Sequence, residues 1–278
     1  MNDKPLIVHV VYRLDTGGME HVVVSLVNAT HDRYRHAVIS LTGFGVLRHE
    51  IEDAAVACLS LEKKPGKDWW CYFRFWRALR TLKPDLVQTY NIGTLDLPPV
   101  ARLAGVHRLI HAEHGRDAAD PGGDNLRYQW LRRWMAPLIR RYVVVSHDLQ
   151  TWLTDRVGIQ PSKVTYIANG IDEARFSRTC SPSEPRRRLG DFAPPGTVLI
   201  GNVARLDKVK DHEGLISAFK LLREQAGGNN ASARLIIAGE GPQRGELERQ
   251  IVRLGLTETV RLLGNRGDVA HLLAECDV

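Results

Sequence analysis

Three short stretches of this chain carry residue types that can hold an anion. The first is Thr16-Gly17-Gly18-Met19-Glu20, between an apolar run and a stretch with helical spacing (Val22, Val23, Leu26, Val27). Adjacent glycines let backbone N–H groups come close to a ligand, and a helix N-terminus favours negative charge. Such a pair is also a common turn, and it is not the G-x-G-x-x-G of a dinucleotide fold. The second stretch runs from Gly201 to His212, where Arg205 and Lys210 flank a tight loop. A forked guanidinium and a point-charge ammonium suit a diphosphate, although most surface Lys and Arg are simply solvated. The third is Ala238-Gly239-Glu240-Gly241-Pro242, with proline placed for the first turn of a helix.

All three stretches stand where a strand hands over to a helix. Leu6–Tyr12, His36–Leu41, Leu86–Tyr90, Leu109–Glu113 and Tyr142–Ser146 read as strands; Met19–Ala29, Trp69–Leu82 and Tyr128–Ile139 read as helices, the last ended or kinked at Pro137. Ser177–Gly196 holds four prolines and the run Arg186–Arg188, which predicts an interdomain linker. A second series follows: strand Thr197–Val203, helix His212–Gln225, strand Arg234–Ala238, helix Pro242–Leu254, strand Val260–Leu263 and helix Asp268–Ala274. Strands alternating with helices predict an α/β protein with parallel sheets and right-handed crossovers. The expected division is a first domain over 1–178, a linker over 179–196 and a second domain over 197–278. Ligands of open α/β sheets bind outside the carboxyl ends of the strands, so the three turns are expected to face one cleft.

Composition narrows the class. The chain has 278 residues, 44% hydrophobic and 25% charged, too apolar for a disordered protein. No apolar run approaches the length of a membrane span, and Leu6–Val11 is too short for a secretory signal core. Four scattered cysteines (Cys58, Cys71, Cys180, Cys276) form no C-x-x-C, which predicts no zinc ribbon and a reducing, cytoplasmic setting. The net charge of +6 is concentrated: Ser60–Lys83 and Arg127–Arg141 each carry +5, and together they hold five of the six tryptophans. A basic, Trp-rich surface suits nucleic acid, an anionic membrane face or an anionic small molecule. Nucleic acid is the weakest of these, because no zinc finger, RNP motif or basic-region heptad is present. Within Asp68–Leu82, Asp68 reads as the cap and Trp69, Tyr72, Phe73, Trp76 and Leu79 as a buried face. Trp70, Arg74, Arg77 and Thr81 fall on a neighbouring stripe.

The ordered set Gly17-Gly18-Met19-Glu20, His114-Gly115, Val145-Ser146, Asn169-Gly170-Ile171-Asp172, Arg205-Leu206 with Lys210-Asp211, Gly239-Glu240-Gly241-Pro242 and Gly264-Asn265-Arg266-Gly267-Asp268-Val269 resembles glycosyltransferase family 4. The resemblance covers nearly the whole chain, and its nearest subgroup is the sugar transferases of exopolysaccharide and exosortase gene systems. It implies the GT-B fold, two Rossmann-like domains facing a cleft, and retaining transfer from a nucleotide-sugar to a glycan or lipid-linked acceptor. Gly17 and Gly18 would lie against the donor phosphates or the acceptor. Arg205 and Lys210 would bind the diphosphate and stabilise charge on the leaving group. His114 would stand near the donor sugar; without the resemblance it reads as a hydrogen-bonded histidine at a strand end. His107 and His111 read as structural. Gly239, Gly241 and Arg266 would join the nucleotide site. No metal and no cofactor beyond the donor are implied, and the sequence has no Asp-x-Asp motif. An anionic membrane surface at the inner face of the plasma membrane is an expected further partner.

The chain departs from the family pattern at its end. Family members continue beyond the point of Asp277-Val278 with a strand and a helix bearing two glutamates eight positions apart, which bind sugar and ribose. The expectation is therefore an incomplete second domain without detectable sugar transfer. A GT-B sugar-nucleotide epimerase and a non-catalytic nucleotide- or membrane-binding fragment are the alternatives.

Overall fold

The computed structural model describes residues 4–15, 17–117, 119–171, 176, 189–194, 196–225 and 232–278. The chain divides into two compact units, Met1–Gly170 and Ile171–Val278.

The first unit is built on a parallel sheet of β1 (Leu6–Val11), β2 (Arg35–Ser40), β3 (Ala57–Ser60), β4 (Leu86–Tyr90), β5 (Leu109–Glu113), β6 (Arg141–Val144) and β7 (Val164–Tyr166). The strand order is β3-β2-β1-β4-β5-β6-β7. It grows outward in both directions from β1 and β4, so the chain reverses its winding between those two strands. The crevice outside their carboxyl ends is where such sheets take ligands. Both faces of the sheet are covered, which is why β1 reads as an almost unbroken apolar run. Alternate side chains point to opposite faces. Val8, Val10, Ala37 and Ile39 pack with Cys71, Phe75 and Leu79, whereas Val11 and Val38 pack with Val23, Val24 and Val27.

The covering helices are α1 (Gly18–Thr30), α2 (Trp69–Leu82), α3 (Pro98–Leu103), α4 (Leu126–Met135) and α5 (His147–Thr151). The expected helix over Tyr128–Ile139 ends before Pro137, as a proline demands, and starts earlier under an Asn125 cap that accepts from Arg127 N–H (3.0 Å). Strands β3 and β7 escape sequence reading because they are short edge strands, with polar or half-exposed positions and no long apolar run. The expected strand Tyr142–Ser146 stops at Val144, because the Ser146 hydroxyl caps α5 by accepting from Leu149 N–H (3.1 Å).

Helix α2 corrects one expectation. Asp68 does cap it, accepting from Cys71 N–H (3.3 Å), but the buried stripe is Cys71, Phe75 and Leu79. Trp69, Trp70, Phe73 and Trp76 are exposed, the first two at 75% and 69%. A helix this rich in aromatics offers two stripes at the same spacing. Its rotation is fixed where Arg74 turns back to the Asp68 carboxylate (2.8 Å) and Tyr72 reaches Asp96 (2.5 Å).

The second unit holds a three-stranded parallel sheet, order β10-β9-β8, of β8 (Leu199–Val203), β9 (Arg234–Ala238) and β10 (Val260–Gly264). Helices α6 (His212–Gln225), α7 (Arg244–Arg253) and α8 (Val269–Ala274) accompany it. Asp277 N–H donates to Leu199 O (2.8 Å), and Gly201 N–H donates to Val278 O (2.8 Å). The last two residues thus run along β8 on the side away from β9. Most of the expected linker, including Cys180 and Arg186–Arg188, lies outside the described residues. Its final part is more than a tether: Leu189, Phe192 and Ala193 are buried against Leu199, Ile236 and Leu272. Their apolar side chains have a core to join, which the polar and proline content of the surrounding stretch conceals.

Candidate functional site

At the carboxyl edge of the first sheet, Gly17 caps α1 with extended backbone (φ −176°). A Cβ added at Gly17 would meet only the movable Glu20 carboxylate, and one added at Gly18 would meet nothing within 4 Å. Neither glycine is required by packing or by φ. What they leave is open space at the first N–H groups of α1, on the β1 side of the switch point. Tyr12, half-exposed, lies beside them in sequence, and its ring packs against Gly93 so closely that a Cβ there would stand 3.1 Å from it.

His114 follows β5. Its backbone N–H donates to Asn91 Oδ1 (2.7 Å), and its ring lies 5.8 Å from that of Tyr90, centroid to centroid. The imidazole makes no hydrogen bond among the described residues, and its Nδ1 is enclosed. Burial lowers its pKa, Glu113 opposing and His111 adding to the effect, so the ring is neutral at pH 7.

Directly before it, Glu113 is fully buried. Its Oε1 accepts from Arg132 Nε (2.6 Å) and its Oε2 from Arg132 Nη2 (3.1 Å), a bidentate pair. His111 Nε2 lies 3.2 Å from Oε1, and its Nδ1 lies 2.8 Å from Thr89 Oγ1. Burial pushes the Glu113 carboxyl up, but the His111 hydrogen bond and the Arg132 charge outweigh it and hold the group well below the usual carboxylate range. His111 is structural, as expected from sequence. The Arg132 guanidinium also lies over the Trp152 ring (4.8 Å), so this ion pair fastens α4 to the end of β5.

A second buried polar chain crosses the α1 side of the sheet. Thr30 Oγ1 gives its only proton to Leu26 O (2.6 Å), so it accepts from His36 Nε2 (3.0 Å). His36 Nδ1 must then accept from His9 Nε2 (3.1 Å), and His9 Nδ1 from the Tyr90 hydroxyl (2.9 Å). Only this proton arrangement satisfies all four contacts with both imidazoles neutral. Burial, and then the neighbouring His36, lowers the His9 pKa to about 3.

At the carboxyl edge of the second sheet, Arg205 stands two residues beyond β8, exposed, with its guanidinium on the Asp207 carboxylate. Lys210 is exposed and makes no ion pair among the described residues. Asp211, at φ +48°, caps α6 by accepting from Gly214 N–H (3.1 Å). The two glycines after β9 are required by the fold itself. Gly239 sits at φ +148°, and a Cβ on it would collide with Ala204 O; one on Gly241 would collide with Leu206 O. Leu206 N–H donates to Glu240 O (3.0 Å), and Gln243 N–H to Leu206 O (3.1 Å). The G-x-G turn is thus a backplate that shapes the loop beginning at Arg205. Arg266 follows β10 and holds Asp268 with two bonds of 2.8 and 2.7 Å.

The sequence-predicted residues therefore form two groups. Gly17, Gly18 and His114 share the first sheet's carboxyl edge; Arg205, Lys210, Gly239, Gly241 and Arg266 share the second's. Sequence reading misses Asn91, the Glu113–Arg132 pair and the His9–His36 chain. For Asn91 the available sign is an Asn before Ile-Gly at a strand end.

Solved GT-B structures match nearly the full length of the chain. HepE of Anabaena, in complex with UDP and glucose, matches with a TM-score of 0.77 at 21% identity, covering 98% of this chain and 72% of that one. WaaG, a glycosyltransferase involved in lipopolysaccharide biosynthesis, matches with a TM-score of 0.76 at 15% identity over 98% of this chain and 73% of that one. The fold is that of the GT-B glycosyltransferases. Residues 16–175 match the family model described as Glycosyltransferase Family 4, and residues 191–278 match Glycosyl transferases group 1. The chain belongs to glycosyltransferase family 4. Its curated relatives include a GDP-mannose-dependent alpha-(1-6)-phosphatidylinositol dimannoside mannosyltransferase of Mycobacterium tuberculosis, 34% identical over 212 residues, 72% of this chain and 51% of that protein. EpsF of Bacillus subtilis is 26% identical over 186 residues, 64% of this chain and 46% of its own. The chain spans about half the length of these two relatives.

Proposed function

We propose that the protein transfers a sugar, with retention, from a nucleotide-sugar to a glycan or lipid-linked acceptor in cell-surface polysaccharide or glycolipid synthesis. The observation that carries this reading is the pair of exposed cations, Arg205 and Lys210, on the loop between β8 and α6 of a family 4 chain. Two cations there, Arg205 held by Asp207 and Lys210 exposed beside it on the same loop, neutralise the donor diphosphate. They act most strongly as negative charge builds on the departing nucleoside diphosphate, which is electrostatic catalysis by preorganisation. Asp207 keeps the guanidinium in place until phosphate competes for it. Gly239 and Gly241 act through the loop they shape, and Arg266, steadied by Asp268, stands on the same edge for the nucleotide. The open N-terminus of α1 offers backbone donors to phosphate or acceptor, and neutral His114 presents its ring to the donor sugar. The names of the mycobacterial mannosyltransferase and of a Campylobacter jejuni diphospho-undecaprenol galactosaminyltransferase support a lipid-linked acceptor. The relatives reported above are named as glycosyltransferases, which favours transfer over the epimerase reading.

Two measurements test this. Arg205→Ala and Lys210→Ala are each expected to weaken nucleoside diphosphate binding by about 1.5–3 kcal/mol, the range for a hydrogen bond to a charged group. Calorimetric affinities unchanged in both variants would remove the phosphate assignment. Release of nucleoside diphosphate that depends on acceptor is the signature of transfer; interconversion of the donor sugar with no net release of nucleoside diphosphate is that of an epimerase.

An anionic lipid surface is proposed as a further partner. On α4, Leu126, Arg127, Trp130, Leu131 and Trp134 line a shallow groove of about 520 Å³, and on α2 Arg77 is exposed, as are Trp70, Phe73 and Trp76. Anionic headgroups attract each nearby Lys or Arg by about 1 kcal/mol, and interfacial indoles add apolar contact. No helix among the described residues is long and apolar enough to cross a membrane. Salt-sensitive co-sedimentation with anionic vesicles is expected, lost on Arg77→Glu with Arg127→Glu. Equal binding to neutral vesicles would exclude this role.

A further inference from the structure

We propose that Asn91 is a positioning residue for His114, fixing where the imidazole stands at the carboxyl edge of the first sheet. The inference rests on the transfer reading, which gives His114 its place beside the donor sugar.

Strands β4 and β5 are in register up to Tyr90 and Ala112. At the next residue β4 turns away. Asn91 adopts φ +54° and ψ 175°, a backbone state rare outside glycine and one that persists only where the surroundings enforce it. Thr94 enforces it here: fully buried, its hydroxyl accepts from Tyr90 N–H (2.8 Å) and reaches back to Tyr90 O (2.8 Å), while its own N–H donates to Asn91 O (3.2 Å).

That conformation lets one residue hold β5 at two points. Asn91 N–H still donates to Ala112 O (2.8 Å), and its side-chain oxygen turns to accept from His114 N–H (2.7 Å). The ladder is thus prolonged by a side chain after the backbone has left it. Glu113, between those two points, is tied by Arg132 and His111. Gly115, at φ +153°, turns the chain immediately afterwards. His114 is therefore the last residue of β5's course that the sheet controls, and Asn91 is its final attachment.

The attachment matters because the imidazole has no other. It makes no hydrogen bond among the described residues, and the Tyr90 ring is its aromatic neighbour. Its orientation follows from its backbone. A small displacement at the backbone N–H is carried directly to the ring, and misplacement of a reacting group by about 1 Å costs up to ~100-fold in rate.

The test compares Asn91→Ala, Asn91→Gly and Asn91→Asp in the full 278-residue chain. Alanine removes the acceptor, glycine also relieves the backbone, and aspartate keeps an acceptor of the same shape. Long-range 1H–15N spectra report the histidine rings, with the His114 signals assigned by their loss in His114→Gln. In Asn91→Ala and Asn91→Gly the His114 ring signals are expected to move while those of His9, His36 and His111 stay in place. Acceptor-dependent kcat is expected to fall about tenfold or more with donor KM within about twofold, and Asn91→Asp is expected to recover most of it. A lowered Tm with wild-type His114 signals would overturn the proposal, as would moved signals with unchanged kcat. If the wild-type chain shows no acceptor-dependent release, the His114 spectra alone decide whether Asn91 sets the ring: moved signals in Asn91→Ala support the proposal, and wild-type signals overturn it.

Discussion

Arg132→Met is expected to cost the first unit about 3–5 kcal/mol, the loss typical when one member of a buried ion pair is removed. The reason lies in what remains. Glu113 is fully buried and Arg132 is 2% exposed, so the carboxylate is left facing His111 with no cation and no water. Methionine has nearly the length of the arginine stem, so the loss is mainly electrostatic. Adding Glu113→Gln removes the stranded charge, and the double variant is expected to be more stable than Arg132→Met alone. Urea unfolding followed by tryptophan fluorescence is a direct probe, because Trp152 lies under the Arg132 guanidinium. A single-variant cost below about 1 kcal/mol, the value of an exposed pair, would mean that Glu113 is solvated or protonated in the native protein. The pair also locates α4, so Arg132→Met is expected to weaken vesicle binding, although Arg132 faces the core.

Mild acid is expected to destabilise the first unit through His9 and His36. Burial lowers both pKa values, that of His9 to about 3; for His36, Thr30 and Asp53 oppose the effect and His31 adds to it. An unfolded histidine takes up its proton near pH 6.5, where the folded ring refuses it. The contribution is therefore complete above about pH 6.5 and declines as pH falls toward the folded value. For His9 alone this amounts to about 2 kcal/mol between pH 6.5 and pH 5. The proton arrangement adds a structural reason. A protonated His36 would present Nδ1–H to His9 Nε2–H, and accepting the charge requires the whole chain to Tyr90 to reverse. Glu113 acts in a lower window: its depressed pKa contributes stability above about pH 4.3 that is lost on further acidification. Unfolding free energies measured from pH 7 to pH 5 thus isolate the histidines. His9→Gln is expected to flatten that slope, whatever it does to stability at pH 7. A wild-type slope of zero would contradict the buried neutral pair.

The elements that position both edges were legible because parallel strands buried on two faces leave apolar runs, and glycine-bearing turns punctuate them. Leu6–Val11 and Arg234–Ala238 are of this kind. Edge strands Ala57–Ser60 and Val164–Tyr166 lack the run, since one side of each meets solvent. The rotation of α2 is not legible from sequence because Trp69 and Phe75 are both strongly apolar, and what decides between their stripes is a capping carboxylate with its arginine. Gly239 and Gly241 were legible as necessary glycines, but the sequence does not distinguish close approach to a ligand from close approach to Leu206 O. The polar groups missed, Asn91, Glu113 and His9, share a cause. Each is defined by partners 19 to 81 residues away, and no local spacing encodes such a contact.

The central claim is that the loop between β8 and α6 holds the diphosphate of a nucleotide-sugar. It is tested most directly by titrating nucleoside diphosphates into the chain and following backbone amide signals residue by residue. The expected result is saturable movement of the amides from Arg205 to Asp211 and from Gly239 to Gly241, abolished by replacing Arg205 and Lys210 together with alanine. Saturable binding that moves only amides of the first unit, or that survives loss of both cations, would contradict it.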